Sequence, residues 1–296
     1  MPKKKVKSSK IKVGILGTGN IGTDLLVKLQ RSRILECGMF SGQNPDSSGI
    51  KKARSMGVKT SLDSIQAFVN KPDCCEIVID ATSARAHFIH APILKKLKKF
   101  TIDLTPSQIG KACIPVLNMK ECLEEDNVNL ITCGGQCAVP IACAITRVHP
   151  EIEYIEVVAS IASLSAGRGT RANIDEFTQA SKDAIKIFSG VSRAKAIIIL
   201  NPAIPPILMH NTVYALVKEP KLKQIKKEID KITNLIKEYV PGYTITLGPI
   251  MESGRLTVMI EVTGKGDFLP KYSGNLDIVT SAAIKVAEEY AKAKLM

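Results

Sequence analysis

The segment "IKVGILGTGNIGTDLLVKLQ" restricts the fold of this chain more than any other. Val13, Ile15 and Leu16 predict a short buried strand, and Gly17-Thr18-Gly19-Asn20-Ile21-Gly22 then matches the spacing G-x-G-x-x-G before a helical pattern begins. Gly17 permits the tight turn, Gly19 lets backbone approach a pyrophosphate, and Gly22 lets helix and strand pack closely. The helix N-terminus adds unpaired N–H groups and the positive end of a dipole. A glycine triplet alone also occurs in strand–helix turns that hold no ligand. A strand before it and a helix after it favour dinucleotide binding.

The alternation of strand and helix continues through "ILECGMF", "EIVIDATS", "FTIDLTP" and "NVNLITC", with helical stretches such as "SLDSIQAFVN" and "AHFIHAPILKKLKK" between them. This pattern predicts α/β architecture: a Rossmann-type, doubly wound parallel sheet with ligands at the carboxyl ends of its strands. After His149 the strands lengthen. "YIEVVASIAS", "AKAIIILNP", "YTITLGP" and "RLTVMIEVTG" predict a mostly antiparallel sheet covered by helices over "ANIDEFTQASKDAIKIF" and "KLKQIKKEIDKITNLIKEYV". In the latter, Leu222, Ile225, Ile229, Ile232 and Ile236 form an apolar stripe opposite solvated lysines. The expected organisation is a basic tail over 1–10, a dinucleotide-binding domain over 11–132 and an α+β catalytic and dimerisation domain over 133–274. A helix over 275–296 packs back on the first domain.

Net charge is +13, and part of it lies in "MPKKKVKSSK" and "LKKLKKF". The first run reads as a solvated tail, with a nuclear-import or nucleic-acid arm as the alternative. No recognition helix, zinc spacing or aromatic interleaving accompanies the charge, so nucleic acid is not expected as a partner. No apolar run is long enough to span a bilayer, and the tail lacks the apolar segment of a secretory signal. The eight cysteines show no repeated C-x-x-C spacing, which argues against a metal and for a reduced, cytoplasmic chain.

One cysteine stands apart. In "NLITCGGQCAVPIACAITRVH" a strand ends at Cys133, two glycines follow, and a small-residue helix is expected from near Ala138. A helix N-terminus favours thiolate, so Cys133 is expected to have a lowered pKa, whereas Cys137 and Cys143 belong inside the helix as core residues. A thiol beside a nicotinamide suggests addition to an aldehyde, hydride transfer and a thioester on the enzyme. The bland reading is a structural cysteine flanked by glycines.

Together "GTGNIGTDL", "IDATSA", "IDLTP", "NLITCGGQ", "SAGRGTRANIDEFT", "IIILNPAIPP", "YVPGYTI" and "YSGNLDIVTSAA" resemble acylating acetaldehyde dehydrogenase, the coenzyme-A-dependent family that partners 4-hydroxy-2-oxovalerate aldolase. The resemblance runs in order from about Lys12 onward. It implies a semialdehyde-dehydrogenase-like second domain and oxidation of acetaldehyde, or another short aldehyde, to acetyl-CoA with reduction of NAD. It also implies a homo-oligomer, an aldolase partner and a place in aromatic hydrocarbon catabolism. The family's thioester-forming cysteine falls on Cys133, and its glycine-loop contacts fall on Thr18, Gly19, Asn20 and Ile21. A second cofactor segment falls on Ser165, Ala166, Gly167, Arg168, Gly169, Thr170, Arg171, Ala172 and Asn173, and one further contact on Asn275.

Four departures bear on this. Arg168 replaces a proline of the family, and Asn44 replaces the acid expected to hold the ribose hydroxyls. The latter leaves NADP open, with Lys51, Lys52 and Arg54 as candidate partners of a 2′-phosphate. Asn211 stands where the family has an acid suited to taking the thiol proton; Asn211 cannot accept one, and His210 beside it is the other candidate base. The segment between Tyr243 and Arg255 is shorter than expected, which bears on the aldolase interface. The rival reading is a non-catalytic paralogue that keeps the nucleotide pocket for binding or assembly. A semialdehyde or acyl-phosphate reductase is disfavoured because no histidine follows His210.

Overall fold

The computed structural model of the chain describes residues 10–295 apart from 168, 169 and 172. Strands β1 (Ile11–Leu16), β2 (Leu35–Ser41), β3 (Thr60–Ser61), β4 (Ile77–Asp80), β5 (Phe100–Asp103), β6 (Lys111–Ala112) and β7 (Asn127–Asn129) form one sheet in the order β3-β2-β1-β4-β5-β7-β6. Every pairing in it is parallel. Strands β1, β4 and β5 are almost wholly buried, as expected when helices cover both faces. The covering helices are α1 (Asn20–Leu29), α2 (Ser48–Ser55), α3 (Gln66–Asn70), α4 (Ala84–Lys96) and α5 (Pro115–Cys122). The order reverses at β1, with β2 on one side and β4 on the other. A crevice therefore opens between the carboxyl ends of β1 and β4.

Helix α6 (Cys133–Val148) carries the chain into a second sheet. It comprises β8 (Tyr154–Ala162), β9 (Arg193–Asn201), β10 (Met209–Ala215), β11 (Tyr243–Glu252) and β12 (Arg255–Val262), in the order β11-β12-β10-β8-β9. Only β8 and β9 run parallel. Helices α6, α7 (Ile174–Ser189) and α8 (Leu222–Lys237) pack on this sheet. Ile155, Val157, Ala159 and Ile161 of β8 are buried, while Tyr154, Glu156, Val158 and Ser160 between them stay partly exposed on the other face. Strand β10 was not anticipated, because its alternation is carried by Met209, Asn211, Val213 and Ala215, and a polar residue among them masks the pattern.

Helix α9 (Gly274–Leu295) then returns to the first sheet. Val279, Ala282, Ala283, Val286, Ala287 and Ala291 join Ile15, Leu25 and Ile102 in one core, and Tyr290 stacks on Phe100 at 4.1 Å. A buried ion cluster fixes the helix to α1: Lys28 Nζ bonds to Asp24 and lies 2.8 Å from Asp277 Oδ1, and Thr280 Oγ1 donates to Asp24 at 2.6 Å. The helix expected from near Ala138 starts earlier, at Cys133 itself. The two glycines do not delay it; they make room for neighbours.

Candidate active site

The glycine loop follows β1 directly. Gly17 has φ +111°, and a Cβ there would stand 2.6 Å from Ala81 O at the end of β4, so only glycine fits this turn. A Cβ on Gly22 would lie 1.9 Å from Gly17 O, which explains the last glycine of the motif. The loop after β2 is tied to the glycine loop by Ser47 Oγ, which donates to Thr18 O at 2.6 Å.

Cys133 is the first residue of α6. Thr132 caps the helix by accepting from Gly135 N at 2.9 Å, and its hydroxyl also meets Ser181 Oγ at 2.7 Å. A Cβ on Gly134 would touch Phe177 and Ala159, and one on Gly135 would stand 3.1 Å from Ile131 Cγ2. The thiol faces the crevice but is closely surrounded. Burial pushes it up to about 12, against the N–H groups of Gly134 and Cys133, which act to lower it. The lowering expected from the helix N-terminus is present but is outweighed by desolvation. Cys137 and Cys143 are buried core residues, as expected.

Cys133 and Ile21 of the glycine motif line one cavity of about 110 Å³. Its walls include Ile21, Thr82, Ser83, Thr105, Pro106, Cys133, Thr170, Asn173, Phe177 and Asn275. Among the described residues, α1, α4, α6, α7 and α9 all begin at these walls, so several positive helix ends point at one space. A larger cavity of about 570 Å³ lies on the other side of Ile131, lined by Lys111, Glu121, Arg147 and Phe188. It touches neither Cys133 nor the glycine loop.

The sequence reading missed the polar frame behind the cavity. Asp80, Asp103 and Asn129 end β4, β5 and β7 in register with one another. Each side chain accepts the N–H two residues ahead: Thr82 at 3.0 Å, Thr105 at 2.8 Å and Ile131 at 2.9 Å. Two histidines of α4 complete the frame, with His87 Nδ1 and His90 Nδ1 at 2.9 and 2.8 Å from Asp80 Oδ2. Burial would raise Asp80, but the two imidazoles and Thr82 hold it at about 2. Burial raises Asp103 to about 6, although His87 and Ser107 oppose it. The signal for this frame was an Asx residue at each strand end, which needs the register to be recognised.

The structure brings Ile21, Thr170, Asn173 and Asn275 to the cavity beside Cys133. Thr18, Gly19 and Asn20 form the adjoining turn and the start of α1. Ser165 and Ala166 are buried behind it, and Ser165 Oγ donates to Ala162 O at 2.8 Å. Gly167 is exposed. Arg171 turns away and binds Ser163 O at 2.9 Å and Ala166 O at 3.2 Å, so it holds the loop. Arg168, Gly169 and Ala172 lie outside the described residues. Asn211 is fully buried on the inward face of β10 and donates to Gly134 O at 3.3 Å. His210 points to the opposite face, 3.6 Å from Glu261, which removes it as a base for Cys133 within this chain. Asn44 is exposed and accepts from Asp46 N at 3.0 Å. Of the cations named for a 2′-phosphate, Arg54 Nε donates to Thr60 Oγ1 at 3.4 Å and Lys52 lies over the Phe268 ring.

Residues 133–270 match the family model described as prokaryotic acetaldehyde dehydrogenase, dimerisation. The chain is 54% identical to an acetaldehyde dehydrogenase of Geobacillus stearothermophilus over 97% of its own length and 98% of that protein's. The chain belongs to the acetaldehyde dehydrogenase family. It is 49% identical to the acetaldehyde dehydrogenase of Pectobacterium atrosepticum over 95% of its length and 96% of that protein's. Its fold resembles aspartate semialdehyde dehydrogenase II from Vibrio cholerae, solved in complex with ASA. The TM-score is 0.59 at 13% identity, covering 95% of this chain and all of that one. As a member of the acetaldehyde dehydrogenase family the chain is an oxidoreductase.

The acetaldehyde dehydrogenase family suggests a nicotinamide cofactor, and the residues present fit one. Asn275 Oδ1 and Thr105 Oγ1 are buried and have no hydrogen-bond partner among the described residues, yet both residues line the cavity. A Cβ on Gly19 would meet nothing within 4 Å, so the turn is open to a ligand. Among the described residues no group of His, Cys, Asp and Glu gathers as a metal site, and no helix is long and apolar enough to cross a membrane.

Proposed function

We propose that the chain oxidises acetaldehyde, or another short aldehyde, to its coenzyme A thioester with reduction of NAD, through a covalent intermediate on Cys133. The observation that carries this reading is the thiol at the start of α6 in the same cavity as Ile21 of the glycine motif. Gly19, Ile21, Thr170, Asn173 and Asn275 hold the cofactor, which when bound supplies a hydride acceptor. The Cys133 sulfur, as thiolate once its proton has gone to solvent, adds to the carbonyl carbon, and the carbonyl electron pair moves onto oxygen. The N–H groups of Cys133 and Gly134, which face the sulfur, supply the donors that steady that oxyanion. As the C=O bond reforms the hydride leaves with its electron pair, and a thioester remains on Cys133. The thiolate of coenzyme A attacks the thioester carbon, and Cys133 departs as thiolate to close the cycle.

The thiol proton has no carboxylate to go to at Asn211, whose amide donates to Gly134 O and so holds the first turn of α6. We assign Asn211 this positioning part. The uncovered face of the second sheet, bearing Val158, Thr212, Tyr214 and Met259, is the proposed contact between two copies of the chain, in keeping with the family model's dimerisation description. The test is absorbance of reduced cofactor with acetaldehyde and coenzyme A, run separately with NAD and NADP. Cys133→Ala is expected to abolish the signal while leaving cofactor affinity near the parent's. Turnover by this variant at the parent's rate would overturn the assignment.

A further inference from the structure

Ile131 has φ +64°, a left-handed conformation that a β-branched side chain rarely adopts. Such strain persists only where the surroundings hold it, and here it lies two residues before the thiol. Asn129 does the holding. It is 2% exposed and uses both ends of its amide: Oδ1 accepts from Ile131 N at 2.9 Å, and Nδ2 donates to Asp103 Oδ2 at 2.7 Å and to Thr105 O at 2.8 Å. Thr132 is then extended, and Cys133 begins the helix. The direction the chain takes at Ile131 thus sets where the sulfur stands. Ile131 itself forms the partition between the Cys133 cavity and the 570 Å³ cavity behind it.

We propose that Asn129 is a positioning residue for catalysis: by pinning the left-handed turn at Ile131 to the ends of β5 and β7, it holds the Cys133 thiol in the cofactor cavity. This rests on the covalent reading of Cys133. Only an amide suits the position, because one atom must accept from Ile131 while the other donates to Asp103 and Thr105. Asp103 is also faced by His87 of α4 at 3.5 Å, by the Ser107 hydroxyl, and electrostatically by Asp80 of β4. A second carboxylate against this group would repel it unless a proton were shared.

The test uses the full chain with Asn129→Ala, Asn129→Asp, Ile131→Gly and the double variant Asn129→Ala with Ile131→Gly. Three quantities are read: single-turnover formation of reduced cofactor with acetaldehyde, KM for NAD, and the pH curve of Cys133 alkylation by iodoacetamide. Asn129→Ala is expected to slow the single turnover about ten- to a hundredfold, as for a misplaced reacting group, with KM for NAD changed far less. Glycine adopts the left-handed turn without steric cost, so in the Ile131→Gly background the loss from Asn129→Ala should be much smaller. Equal losses in both backgrounds, or a single turnover in Asn129→Ala at the parent's rate, would overturn the proposal. Should Asn129→Ala not fold, Asn129→Asp carries the test: its rate relative to the parent should fall as pH rises from 5 to 8 and the shared proton is lost, about 6 being where Asp103 already titrates. A ratio that stays flat with pH overturns it. If the parent itself forms no reduced cofactor, the covalent reading fails and alkylation decides alone. A Cys133 curve moved to lower pH in Asn129→Ala supports the positioning role, because the displaced thiol has left the burial that outweighs the helix N–H groups; a curve unmoved or moved higher overturns it.

Discussion

Cys133 shows two environmental effects in opposition, and their sizes decide which one governs the thiol. A helix N-terminus ordinarily lowers a cysteine below its usual value of about 8.5. Here desolvation raises it to about 12. Iodoacetamide alkylation of Cys133 in cofactor-free protein should therefore be slow at pH 7 and climb throughout the alkaline range. A midpoint near pH 7 would mean that the helix end prevails. Asn211 offers a second test. Asn211→Asp replaces an amide that donates to Gly134 O by a group that can donate only when protonated. The site is fully buried, so the introduced carboxyl has its folded pKa raised above the unfolded value of about 3.9. The penalty is then absent below that value and grows as pH rises toward the folded pKa, reaching about 3 kcal/mol by neutral pH. Urea unfolding of parent and variant at pH 4.5 and 8 measures it. At this scale the thiol, the glycine loop and Asn275 are legible because motif and resemblance name them. Asn129, Asp103 and Thr105 are not, since their value comes from neighbours set by strand register. Arg171 depends on its neighbours in the same way: the loop's own carbonyls accept from its guanidinium.

Elements are legible where one periodicity dominates. The stripe of α8 buries Ile225, Ile229, Ile232 and Ile236, and the strands of the first sheet are apolar runs. The start of α6 was misplaced because two glycines read as a break, whereas Phe177, Ala159 and Ile131 crowd the space their side chains would need. Helix α9 makes the strongest claim at this scale, because its first turn presents Asn275 to the cavity while its second is tied to α1. Lys28 is the only cation in that tie among the described residues, facing Asp24 and Asp277 in the interior. Lys28→Met should leave two buried carboxylates without a counter-charge and cost about 3–5 kcal/mol. Denaturant midpoints would record the loss, and weaker NAD binding should accompany it through Asn275. A variant as stable as the parent would show that the cluster contributes nothing to docking the helix.

For the molecule as a whole, α/β order predicts the first sheet well, but the second sheet's uncovered face can be recognised only once its helices are seen to lie on one side. A twofold contact sets a patch against its own copy, so Val158→Lys should bring like charges together and shift light-scattering mass from dimer toward monomer. An unchanged mass would place the contact elsewhere. The return of α9 carries a further consequence, in the order of synthesis. Lys28 and Asp277 are 249 positions apart, and the whole second sheet is made between them. A chain leaving the ribosome therefore forms β1 to β7 while the apolar side meant for Ala282, Ala283, Val286 and Ala287 is still bare. During that interval the nascent first domain is sticky, and the dinucleotide crevice lacks one wall. The half-made domain is therefore most prone to aggregate in the interval before its closing helix emerges.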